Sequence, residues 1–159
     1  MSQLGPVTRQ VFAAFLDWLY NGFEGFGLGD DQPVGTRTVD CQTLIELWVF
    51  AGRAGVPQCQ NACIEGIEMW RLQTGIIQTL NLAWIYENTK DYEDEKCGLK
   101  KLLIDQCTWS LDLTSITNET TDDEMPRVAL VDMLTRMRKL MNDGVGNIGK
   151  PFENAVTRK

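Results

Sequence analysis

Apolar residues recur at three- and four-residue steps through most of this chain, and each such stretch predicts an amphipathic helix. The first runs from Val7 to Tyr20, with Val7, Val11, Phe12, Phe15, Leu16 and Leu19 on one face. Asn21-Gly22 stops it, because glycine readily takes the left-handed conformation that ends a helix. A second apolar face follows Asp40, whose side chain can cap the free N–H groups of a first turn. It carries Leu44, Ile45, Leu47, Trp48, Val49 and Ala51, and Gly52 and Gly55 weaken its far end. Pro57 fits the first turn of a third helix, where its missing N–H has no partner to lose. Ala62, Cys63, Ile64, Ile67 and Trp70 carry that helix to a stop at Thr74-Gly75.

The second half continues the pattern in shorter pieces. A helix is predicted from about Thr79 to Glu87 on Leu80, Leu82, Ala83, Ile85 and Tyr86, with a polar turn from Asn88 to Glu95. Leu99, Leu102, Leu103, Ile104 and Cys107 mark another, ending near Trp109. Thr114 to Asp123 reads as an exposed linker. The last helix is expected from about Glu124 to Asn142, capped by Asp122 or Asp123, with Val128, Val131, Leu134 and Leu140 among its apolar positions. Met125, Met133, Met137 and Met141 line it beside Arg127, Arg136, Arg138 and Lys139. A basic, Met-rich helix can bind a partner, but a periodic stripe is more often core, and it is read as core here.

Between the first two helices, Asn21 to Val39 reads as a glycine-rich loop holding Phe23, Phe26 and Leu28. A loop of that length is functional or mobile. No alternating strand stands out, although a short one at Thr36 to Val39 stays open. The fold class is therefore all-α, an irregular bundle of about five to six helices. The organisation is a helical region over 1–75 with its loop at 21–39, a helical extension over 76–143, and a flexible tail over 144–159.

Composition narrows the chemistry. The net charge of -7 and a pI near 4.6 oppose binding to nucleic acid, which needs clustered cations. They equally oppose docking on an anionic membrane. No window reaches the roughly 18 to 20 unbroken apolar residues of a membrane span. The five cysteines are odd in number and sit within apolar patterns, and no signal peptide is visible. Reduced thiols in an intracellular protein, cytoplasmic or nuclear, are expected.

Histidine is absent, which removes the commonest general base and the usual zinc nitrogen ligand. Cys59 and Cys63 share one helical face, but a structural zinc site needs two further ligands. They read as small buried hydrophobes. The acids at Asp30-Asp31, Glu93-Asp94-Glu95 and Asp122-Asp123-Glu124 read as caps and solvated charges rather than a catalytic pair. The glycines from Gly22 to Gly29 lack the strand–loop–helix setting of a phosphate cradle, and there is no nucleophile elbow. No catalytic residue, metal ligand or cofactor site is assigned.

The segments FLDWLYNG and LIELWVFAGRAGVPQCQNACIE resemble the second half of a BTB/POZ domain, in the divergent form common in filamentous fungi. Phe15, Trp18, Leu19, Tyr20, Gly22, Leu44, Leu47, Trp48, Ala51, Pro57, Gln60 and Asn61 match that pattern. IYENT at Ile85 to Thr89 and LKKLLID at Leu99 to Asp105 look like the helical continuation of such proteins. The resemblance implies that the N-terminal sheet portion of that fold is absent ahead of Met1. It also implies a non-enzymatic protein–protein interaction module, an adaptor or assembly domain of the kind that in some members serves a ubiquitin ligase. Its partner would be a second copy or, as in some members, a cullin-type scaffold.

Helices that normally cover a sheet would then hold an open apolar face. Burial is worth about 25 cal/mol per Å², so leaving a few hundred Å² bare would forfeit several kcal/mol. A second chain, or the Met-rich last helix, is expected to cover Phe12, Phe15, Trp18 and Trp48 or the loop aromatics. Phe12, Trp18, Phe23, Phe26 and Trp48 are the candidate partner-facing residues. Two further readings come from other classes: a small thiol or redox helical enzyme using cysteines and acids, and a secreted fungal effector whose signal peptide was removed before Met1.

Overall fold

The computed structural model describes residues 7–28, 38–77, 81–93, 96–110 and 125–143. Among them lie six α-helices and one 3-10 helix, with no strand. The chain divides into two compact units, Met1–Gln78 and Thr79–Lys159.

In the first unit, α1 (Arg9–Asn21) starts after Val7 because Thr8 is its cap. The Thr8 hydroxyl oxygen accepts the Val11 N–H at 3.3 Å. Gly22 ends α1 where the Asn-Gly signal predicts a stop, but at φ 63° and ψ -147° it lies outside the left-handed helical region, in one that glycine alone enters freely. The residues after it are not plain loop. Gly22–Phe26 form a 3-10 helix packed on α1, and Phe26 and Leu28 turn inward and are buried. The Val39 N–H donates to the Phe26 carbonyl at 2.9 Å, and the Thr38 hydroxyl donates to the Gly27 carbonyl at 3.3 Å. The two described ends of the glycine-rich segment are thus held together.

Helix α2 (Cys41–Arg53) begins where Asp40 accepts the Thr43 N–H at 2.7 Å. Charge-assisted caps of this kind stabilise a helix by about 1 kcal/mol. Leu44, Leu47 and Ala51 are fully buried. A tight corner at Ala54–Gly55–Val56 then reverses the chain. Gly55 takes φ 73°, and the Val56 N–H reaches back to the Ala51 carbonyl at 2.9 Å.

Pro57 opens α3 (Pro57–Thr74), which packs against α2. Gly66 lets the two helices approach closely: a Cβ there would stand 3.1 Å from Leu44 Cδ1 and 3.2 Å from Leu28 Cδ1. Near the far end of α3, Gln73 donates to the Leu28 carbonyl at 2.8 Å. Gly75, at φ 70°, ends the helix.

The second unit holds α4 (Leu82–Asn88), α5 (Gly98–Ser110) and α6 (Arg127–Asn142). Leu82, Ile85, Leu99, Leu103, Cys107, Ala129 and Met133 are buried. Two polar links reach α6. Arg136 Nε donates to Asp105 of α5 at 2.6 Å, and the Tyr86 hydroxyl of α4 donates to Asp132.

Helix α6 starts later than the sequence suggests. A residue before proline is driven out of the helical region, so Met125 precedes the helix, where it is buried rather than lining it. Pro126 is the cap, with its carbonyl accepting the Ala129 and Leu130 N–H groups at 2.9 and 3.3 Å. The predicted caps Asp122 and Asp123, the linker at 114–123, residues 79–80 and the tail at 144–159 lie outside the described residues. Among the described residues no helix is long and apolar enough to cross a membrane.

Candidate functional site

Exposed large apolar side chains form a row on one helix of each unit, besides single ones such as Leu72, Trp84 and Val131. On α1, the 3.6-residue repeat puts Phe12, Leu16 and Leu19 in one row. Phe12 is 50% exposed and Leu19 57%, with Tyr20 beside them still more open. Phe15 borders this row and is half-buried, stacked on Trp18 at 6.0 Å and edge-on to Phe50 of α2 at 5.3 Å.

Of the residues the sequence singles out as partner-facing, Phe12 is open and Trp18 and Phe23 are half-buried. Phe26 and Trp48 are not available. Both are buried, Phe26 because the 3-10 turn folds it inward and Trp48 because it lies on the broad core face of α2. Phe23 meets Phe26 edge-on at 5.9 Å, which leaves one edge of that aromatic pair near the surface.

The second face is on α6. Leu130, Leu134, Met137 and Met141 follow one another at steps of four, three and four residues. That is the spacing of a helix-pairing seam. Leu134 is 65% and Met141 79% exposed; Leu130 is also open and Met137 half-buried. The helix buries Ala129 and Met133 on a neighbouring side. Reading the whole stripe as core therefore holds only for that side. Arg127 and Arg138 are exposed along the outer edge of the seam.

Among the described residues no group of three or more metal-ligating side chains comes together. Asp17 and Asp40 line a small niche of about 100 Å³ with Gln10, Thr38 and Thr43. There Asp40 is already engaged in capping α2.

All five cysteines are free and buried. Burial pushes the Cys41 thiol up to about 12, with the Asp40 charge adding to it, and burial alone pushes Cys107 up to about 12. Cys63 is also held well above its ordinary value by burial, whereas its thiol hydrogen-bonds to Cys59 and lowers it. Thiols that stay protonated are poor nucleophiles.

These protons remain on Cys41 and Cys107 in the folded chain and leave the unfolded chain near its ordinary value of 9.0. Their contribution to stability is therefore complete below pH 9.0 and falls away as pH rises toward about 12. Native alkylation of both residues at pH 8 is expected to be slow and to rise steeply in denaturant. Equal labelling rates with and without denaturant would contradict their burial.

No family model, curated protein or solved structure matches this chain.

Proposed function

We propose that this chain is a non-enzymatic protein–protein interaction module that docks a partner helix on the outer face of α6. The observation that carries this reading is the row Leu130, Leu134, Met137 and Met141, which the described residues leave uncovered. Four apolar knobs at coiled-coil spacing suit a facing amphipathic helix. Arg127 and Arg138 along the edge favour a partner helix with acidic flanks, since complementary charge steers encounter and rejects wrong partners. The α1 row of Phe12 and Leu19 supports the same class of function, because aromatic anchors dominate interface energetics.

An adaptor role of the BTB/POZ kind extends this proposal. The order α1, glycine stop, α2, Gly-Val-Pro corner and α3 supports it. So does Gln60, whose amide donates to the Trp48 carbonyl at 3.3 Å and so ties two positions of the matching motif. In that role the partner is a second copy or a cullin-type scaffold.

The test is a photo-crosslinking residue at position 141, on the same row and exposed, with Leu134→Glu introduced into that chain as the control. Leu134 is exposed, so the control should keep its helix content and unfolding midpoint. Crosslinks from position 141 to an acidic amphipathic helix, lost together with binding when Leu134→Glu is added, are the expected result. Crosslinks to a second copy would assign the seam to homodimerisation. Partner capture unchanged by Leu134→Glu in a folded chain would remove α6 from the proposal.

A further inference from the structure

A different side of α6 faces α5 across a groove of about 370 Å³ lined by Lys100, Lys101, Ile104, Asp105, Asp132, Thr135, Arg136 and Lys139. Its size is that of a small-molecule site. Four of these side chains are basic and two acidic, a local excess of positive charge within a chain of net charge -7. Both carboxylates are already engaged: Asp105 accepts from Arg136 at 2.6 Å, and Asp132 accepts from the Tyr86 hydroxyl. The Lys100 ammonium is held 4.9 Å from the centre of the Tyr86 ring, and Lys100 is buried despite its charge. Lys101 and Lys139 stand on opposite walls, both exposed, with no carboxylate partner among the described residues.

We propose that this groove binds a compact phosphate group, carried by a small phosphorylated molecule or by a phosphorylated side chain. Lysine ammonium groups act as directionless point charges that suit the spread charge of a phosphate. Arg136 meets Asp105 through Nε, and its terminal guanidinium nitrogens have no hydrogen-bond partner among the described residues. The apolar wall at Ile104 and the lysine stems leave room for an organic group beside the phosphate. The two carboxylates and the acidic chain exclude an extended polyanion such as nucleic acid, whose binding needs a continuous basic surface.

Calorimetry and amide chemical-shift mapping on the full chain at low salt test this, with pyrophosphate, a phosphoserine peptide, its unphosphorylated form and citrate as probes. Saturable binding of pyrophosphate or the phosphopeptide, with shifts confined to α5 and α6, is expected. The double variant Lys101→Gln/Lys139→Gln should weaken it at least about tenfold, in line with the loss of two phosphate-pairing charges. Lys101→Arg/Lys139→Arg should retain it, which separates lost charge from lost fold. A tighter phosphopeptide identifies a modified protein as the source, and tighter pyrophosphate identifies a small molecule. No saturable binding of either phosphate probe, citrate or unmodified peptide binding as well as the phosphate probes, or affinity unchanged in the glutamine variant would overturn the assignment.

Discussion

Truncating Leu44 to alanine is expected to remove about 4 kcal/mol of stability, toward the upper end of what large-to-small core changes cost. Leu44 is fully buried on α2 and reaches across to Gly66 of α3. The facing residue has no side chain, so nothing there can swing in to fill the void. Leu28, on the other side of Gly66, is fixed by the Gln73 amide, which donates to its carbonyl at 2.8 Å. A cavity that cannot collapse keeps its full cost, because both the transfer energy and the dispersion contacts are lost. Urea unfolding followed by tryptophan fluorescence reads this directly. A loss below about 1 kcal/mol would mean that α2 and α3 do not meet at Gly66, since a well-collapsed site is the low end of such series.

Gly25→Ala tests the opposite fault, too much material rather than too little. A Cβ at Gly25 would sit 2.2 Å from the Asp17 carbonyl oxygen, 2.6 Å from its carbon and 3.0 Å from the Trp18 nitrogen. All three are backbone atoms of α1, so no flexible side chain can move aside. The 3-10 helix must lift off α1, and Phe26 would lose its buried place. A loss of about 3 kcal/mol is expected, the upper range for overpacking. Gly22→Ala is the control. Its Cβ would meet open space, but φ 63° with ψ -147° is a conformation essentially confined to glycine, so its cost of about 1 to 3 kcal/mol would be backbone strain alone. Gly25 itself has no positive φ, so a Gly25→Ala loss below about 1 kcal/mol would mean that the 3-10 helix does not press on the α1 backbone.

How much of this was legible in the sequence follows from which forces are local. Helices α2 and α3 were readable because every boundary is set by a neighbour in sequence: Asp40 caps, Pro57 opens, and Gly75 closes. The 3-10 helix was not, since Gly-Phe-Glu-Gly-Phe has no helical repeat and its inward turn depends on the distant Val39 N–H. For that reason Phe26 looked like a loop aromatic able to meet a partner. Trp48 was misplaced for a different reason: an aromatic on an apolar face looks the same whether its own chain or another covers it. The α6 stripe carries the same ambiguity. Periodicity shows that Met133 and Met137 lie near one face, but not that burial stops between them. The α5–α6 groove was illegible because Lys100 and Lys101 are far in sequence from Arg136 and Lys139, and only folding places them on facing walls.

The corner at Ala54–Gly55–Val56 has a kinetic side as well. Loop-closure entropy grows with the length of chain that must be gathered, and native pairings between sequence neighbours form fastest. The α2 and α3 faces are joined by a tether of minimal length, already bent by Gly55 and clasped by the Val56-to-Ala51 hydrogen bond. Helix α1 must instead be brought home across the whole glycine-rich segment. In this unit connection length therefore predicts the itinerary of assembly, with the hairpin expected to be the seed onto which α1 condenses.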